Sequence, residues 1–143
     1  KRGISLLSSL EFKDPEMLLD SYPSQLSGGM CQRAAIAAAI VCGPRLLLAD
    51  EPTSALDVTV QKQVIDTMMG LRDRLGTAIL IVSHNMGVIA RMADMVGVMK
   101  DGELVEWGEK KQVLYSPSHE YTKALIAAVP RMDGRLPHGG FYG

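Results

Sequence analysis

Residues 46–57 read Leu-Leu-Leu-Ala-Asp-Glu-Pro-Thr-Ser-Ala-Leu-Asp, and the order of those residue types decides the fold class. Leu46 to Ala49 is a short, wholly apolar run after Pro44, the pattern of a strand buried on both faces of a parallel sheet. Asp50 and Glu51 follow at its carboxyl end, where ligand sites lie in open parallel sheets. Neighbouring strand residues point to opposite sides, so the two carboxylates can take different tasks, one serving a metal and the other ordering a water. Pro52 ends the strand, and Asp57 has the chemistry of an N-cap for a following helix.

Downstream, Val60, Val64, Ile65, Met68, Leu71 and Leu75 trace one helical stripe, and Gly76 is placed to terminate it. Thr77 to Val82 is a second apolar run, so strand, helix and strand form one crossover unit. A helix over about Gly87–Ala93 leads to Met95–Met99, and Asp101-Gly102 turns the chain into Glu103–Trp107, a hairpin expected to close that part of the sheet. Helices over about Glu109–Tyr115 and His119–Val129 flank Pro117. Upstream, the alanine-rich segment from Ser27 to about Val41 reads as a helix ending at Gly43-Pro44. Residues 4–20 suggest two short helical pieces separated at Pro15. Residues 130–143, with Gly134, Pro137, Gly139, Gly140 and Gly143, are expected to be a flexible, linker-like tail.

The chain has 143 residues, 47% hydrophobic and 22% charged, enough for one globular domain with a real core. Its formal net charge of -1 provides no basic surplus for sequence-independent nucleic-acid binding, so no nucleic-acid partner is expected. Cys31 and Cys42, roughly 16 Å apart along a helix, are too distant for a disulfide and read as buried small hydrophobes in a reducing compartment. No apolar run reaches the ~18 residues of a membrane-spanning helix. The start at Lys1, without methionine and without an early strand, reads as a cut inside a larger protein.

Four short motifs carry candidate chemistry. Leu26-Ser27-Gly28-Gly29-Met30 puts a serine and two glycines at a helix N-terminus, where unpaired amides and the helix dipole favour an anion such as phosphate. Asp50-Glu51-Pro52, Ser54-Ala55-Leu56-Asp57 and Ser83-His84 follow in order. Each alone is compatible with an ordinary structural role: a capped helix, solvated turn acids, an N-cap, a satisfied histidine. Their order and spacing, however, resemble the nucleotide-binding domain of ABC ATPases over nearly the whole chain.

That resemblance implies an α/β fold, part of a P-loop NTPase-like parallel sheet flanked by helices, with a C-terminal β-hairpin and helical extension. Residues 1–129 would be the C-terminal part of the domain, including the end of its helical subdomain. It implies that Ser27, Gly28, Gly29 and Gln32 meet an ATP held by a second ATPase subunit in a head-to-tail dimer. It further implies that Asp50 positions Mg²⁺, through a water, and that Glu51 orients and deprotonates the attacking water. His84 would contact the γ-phosphate and hold Glu51, and Asp57 would communicate across the dimer.

Asp50-Glu51-Pro52-Thr53 with Ala55 through Gln61, and Ser116 through Leu125 with Ala127-Ala128-Val129-Pro130, resemble the subunits that power oligopeptide, dipeptide and nickel importers. The implied role is an ATPase peripheral to the cytoplasmic face of the membrane, working through permease subunits. No G-x-x-x-x-G-K-[ST] occurs, so the phosphate-cradling loop is absent from this stretch and the chain alone is expected to be inactive. Cys31 stands where the subfamily often has arginine, and Asn85 where aspartate is usual. Both cysteines precede residue 43, so no iron–sulfur cluster is expected. The alternatives are a soluble ABC ATPase of DNA repair or translation, and a non-catalytic dimerisation module.

Overall fold

A computed structural model describes residues 2–9, 12, 14–54 and 56–129. The expectation of a flexible tail over 130–143 lies outside them. The described residues divide into two compact units, which meet in sequence between Val82 and Ser83.

In the first unit, α1 (Arg2–Ser9) and α2 (Pro15–Leu19) are the two short helices separated at Pro15. Asp14 accepts the Met17 amide at 2.9 Å, and Pro15 occupies the first turn, where a missing N–H costs nothing. A 3₁₀ turn at Pro23–Gln25 leads to α3 (Gly28–Ile40), whose alanines favour helix and allow close packing. Strand β1 (Leu46–Asp50) pairs in parallel with β2 (Ala78–Val82), in register from Leu46 opposite Ala78 to Asp50 opposite Val82. Helix α4 (Val58–Leu75) crosses between them and ends at Gly76, whose φ of 64° is the left-handed conformation a helix C-terminus favours. Helix α4 packs on α3, and its inner stripe of Val64, Ile65, Met68 and Leu71 is buried to 2% exposure or less. Ile36, Ala37, Ile40 and Leu47 add to this core.

The strands depart from the sequence expectation in one respect. Leu46, Leu48, Leu80 and Val82 alternate onto one face of the β1–β2 pair and are exposed, Leu48 by 68%. Among the described residues nothing covers that face, so the strands are buried on one side rather than both. The cysteines also differ from expectation: Cys42 is exposed, and Cys31 is half-buried with its thiol 3.4 Å from the Pro23 carbonyl.

In the second unit, α5 (Met86–Met92) precedes β3 (Met95–Lys100) and β4 (Glu103–Glu109), an antiparallel hairpin with a register shift between Val98 and Met99. Asp101 and Gly102, with φ of 49° and 85°, make the tight turn. The hairpin was expected to join the first pair of strands; instead the described residues form two separate two-stranded ladders. Val96, Val98 and Val113 form a buried cluster, closed by Ile89, Ala93, Val105, Tyr121 and Leu125. Helices α6 (Lys110–Tyr115) and α7 (Glu120–Ala127) complete the unit.

Glu106 on β4 organises the approach to α7. Its two carboxylate oxygens accept the amides of Ser118 at 2.7 Å and His119 at 3.2 Å, while His119 Nδ1 caps the helix by accepting the Tyr121 amide at 3.1 Å. The Thr122 hydroxyl first, then the Ser118 amide, hold the Glu106 carboxyl below its ordinary value; desolvation opposes them, and the His119 amide adds a lesser lowering. The Thr122 oxygen is buried and meets no partner at strict hydrogen-bond geometry, so its pull is a looser electrostatic one and the two amide bonds fix the carboxylate.

Candidate functional site

The first turn of α4 meets Asp57, the start of α3 and the loop after Glu51. Asp57 is its N-cap, accepting the Val60 amide at 3.0 Å, so the structural role anticipated for Asp57 is present in the fold. Val60 lies against the start of α3: a Cβ added to Gly29 would overlap its Cγ1, and one added to Gly28 would touch Leu56 at 3.4 Å. Glycine at 29 is therefore required by packing, and it brings Ser27–Gly29 next to the loop before α4.

At the start of α3, the Ser27 hydroxyl accepts the Met30 amide at 3.3 Å, and the Ser27 carbonyl accepts the Cys31 amide at 2.9 Å. The amides of Gly28 and Gly29 precede any intrahelical acceptor and form the positive end of a helix of 13 residues. Ser27 and Gly28 are exposed and Gly29 is buried, so approach is from the Ser27–Gly28 side. Gln32 is half-buried one turn into the helix.

Asp50 ends β1 on its exposed face. Glu51 leaves the strand altogether. Its amide still donates to Val82 O at 2.9 Å, continuing the ladder by one bond, but its φ of 45° is left-handed, which for a side-chain-bearing residue costs on the order of 1–2 kcal/mol. The alternation expected to separate the two carboxylates is thus replaced by a sharp turn at Glu51. The Ser54 amide then donates to Glu51 O at 3.1 Å, and the Leu56 amide to Thr53 O at 3.4 Å. Thr53 is buried at 2% exposure. The side-chain amide of Gln61, one turn into α4, donates to the same Thr53 carbonyl at 3.1 Å.

His84 is exposed and belongs to the second unit. Asn85 beside it caps α5, its Oδ1 accepting the amides of Gly87 at 2.9 Å and Val88 at 3.4 Å. Asparagine fills that capping role as aspartate would.

Sequence reasoning placed Val60 on the helical stripe without its contact to Gly29, and gave Gln61 and Glu106 no role of their own. Gln61 stands four residues beyond the N-cap Asp57 and thus on the same helix face, the one local signal that it would turn back toward the loop. Glu106 carried no local signal, since its partners lie 12 and 13 residues away.

Comparison with known proteins finds two family matches and a set of relatives. Residues 2–54 match the family model "ABC transporter", and residues 105–139 match "Oligopeptide/dipeptide transporter, C-terminal region". The dipeptide transport ATP-binding protein DppD of Bacillus subtilis (strain 168) is 44% identical over 133 residues, which is 93% of this chain and 40% of that protein. The oligopeptide transport ATP-binding protein OppD of Haemophilus influenzae is 42% identical over 136 residues, 95% of this chain and 42% of that protein. The chain thus spans about two-fifths of the length of these curated relatives. Among solved structures, a dimeric post-hydrolysis state of the ATP-binding cassette MJ0796 bound to ADP and Pi superposes with a TM-score of 0.64 at 31% identity, covering 76% of this chain and 45% of that one. By motif order, fold and C-terminal region together, the chain is similar to the ATP-binding proteins of ABC transporters, and in its residues 105–139 to the oligopeptide/dipeptide C-terminal region.

Proposed function

We propose that this chain is the C-terminal part, residues 1–129, of a nucleotide-binding domain in an ATPase subunit that energises peptide import through a membrane permease. The observation that carries the reading is the convergence on the first turn of α4. There the anion-favouring start of α3, the loop after Glu51 and the capping Asp57 meet within one compact unit. The names of the relatives and the match over 105–139 favour peptide import over a soluble repair or translation ATPase.

The residues suit a nucleotide with its metal. Exposed amides at a helix N-terminus favour a phosphate. Among the described residues no group of three histidines, cysteines or carboxylates could hold a metal alone. The exposed Asp50 carboxylate at the end of β1 suits Mg²⁺, which is bound by one or two carboxylates and completes its shell with waters and phosphate oxygens. Mg²⁺ with ATP would supply charge neutralisation at the transferred phosphoryl group. Ser27, Gly28, Gly29 and Gln32 would bind the phosphates of an ATP held by a second ATPase subunit, head to tail. Asp50 would hold the metal through a water. Glu51 would orient the attacking water and accept its proton, and His84 would contact the γ-phosphate. Asp57, fixed as a cap, would report the state of the site across the dimer.

No helix among the described residues is long and apolar enough to cross a membrane. The names of the relatives support membrane association by docking on permease subunits at the cytoplasmic face. The test is ATP hydrolysis by the complete protein purified with its permease, with and without Mg²⁺ and peptide. Mg²⁺-dependent turnover raised by peptide is expected; no Mg²⁺-dependent turnover would overturn the reading.

A further inference from the structure

Glu51 holds an unfavourable backbone conformation, and such a conformation persists only where surrounding contacts over-determine it. Three contacts do so. The Glu51 amide is tied to Val82 O, its carbonyl to the Ser54 amide, and the loop between them hangs on the buried Thr53 carbonyl. Among the described residues, that carbonyl accepts from two donors: the Leu56 amide at 3.4 Å, long for such a bond, and the Gln61 side-chain amide at 3.1 Å. Gln61 is therefore the firmer anchor, and the only one of the two supplied by a regular element. The same helical turn presents Asp57 and Val60, so the loop's anchor is rigidly linked to the cap and to the seat of Gly29.

From this geometry we infer that Gln61 is a positioning residue for hydrolysis. Its amide donates to Thr53 O, holds the loop against α4 and thereby sets the direction of the Glu51 carboxylate. The inference rests on the ATPase reading above and adds to it a residue that touches neither nucleotide nor metal. Losing the Gln61 donor leaves a buried carbonyl with one weak partner, lets the Glu51 turn relax and misaligns the base. Nucleotide binding does not depend on that alignment.

Two variants of the complete, permease-bound protein test this. Gln61→Glu keeps size and replaces the donor with a carboxylate oxygen facing Thr53 O; Gln61→Met keeps length and removes polarity. Both should lower kcat about tenfold or more while KM for ATP stays within about twofold, because a small misplacement at the reacting centre is costly. The melting temperature should stay close to that of the unaltered protein. Gln61→Glu should also recover activity, relative to the unaltered protein, as pH falls from about 8 to about 6. A glutamate facing a carbonyl has a raised pKa, and its protonated form donates again. Gln61→Met should show no such recovery.

Near-normal kcat in both variants would overturn the proposal. So would a loss matched by a fall in melting temperature, equal in both variants and indifferent to pH, since that is plain destabilisation. Failure of the unaltered protein to hydrolyse ATP at all is a different result: it removes the ATPase reading and this role with it.

Discussion

Two loops in this molecule are pinned by a side chain reaching from a regular element, and the chemistry of the two pins is opposite. After β1, the neutral amide of Gln61 donates to the Thr53 carbonyl. Before α7, the carboxylate of Glu106 accepts the amides of Ser118 and His119. The first pin holds a loop containing a left-handed glutamate; the second aligns a helix start that has its own cap in His119. The contrast teaches that the amide pin is indifferent to pH where catalysis is proposed, whereas the anionic pin ties part of the second unit's stability to the charge of one carboxylate.

The largest effect is expected where the first region is packed most tightly. Gly29→Ala would drive a methyl group into Val60 and should destabilise the chain by about 1–3 kcal/mol, the usual cost of overpacking. Adding Val60→Ala removes the Cγ1 that the methyl meets, so the double variant should melt closer to the unaltered chain than Gly29→Ala does. Chemical denaturation followed by circular dichroism measures both. Equal losses in single and double variants would show that the Gly29–Val60 contact does not set the spacing of α3 and α4.

A smaller effect, with a sign fixed by titration, is expected in the second region. Folding lowers the Glu106 pKa below its ordinary 4.5. The ionised carboxylate therefore stabilises the fold fully above that ordinary value, and the contribution is lost as pH falls through the folded-state pKa. Glu106→Gln should melt below the unaltered chain at neutral pH, and the gap should close in acid. Thermal melts across that pH range check it. A gap independent of pH would mean that shape, and not charge, makes the contact.

The sequence was most informative where structure is local. The stripe from Val60 to Leu75 with Gly76 behind it, and the turn at Asp101-Gly102, specified α4 and the hairpin because helix periodicity and left-handed glycine positions are properties of neighbouring residues. The apolar runs at 46–49 and 77–82 correctly gave strands but not their surroundings. Whether Leu48 and Leu80 are covered depends on which other segments pack against them, and short apolar runs carry no information about that. Asp57 was legible as a cap, because a cap requires only its own helix. The left-handed turn at Glu51 was not legible, since it arises from competition between the strand ladder and the Ser54 and Thr53 turns. Gln61 and Glu106 were missed for a related reason: each acts on backbone that only the folded chain brings within reach.

Glu51 is the centre of this account, and replacing it by glutamine in the complete, permease-bound protein is its most direct test. Glutamine keeps the size of the side chain and can still contact a water, but it cannot accept the water's proton. ATP binding should remain intact while steady-state hydrolysis almost disappears. Near-normal hydrolysis by Glu51→Gln would contradict the assignment of Glu51 as the base.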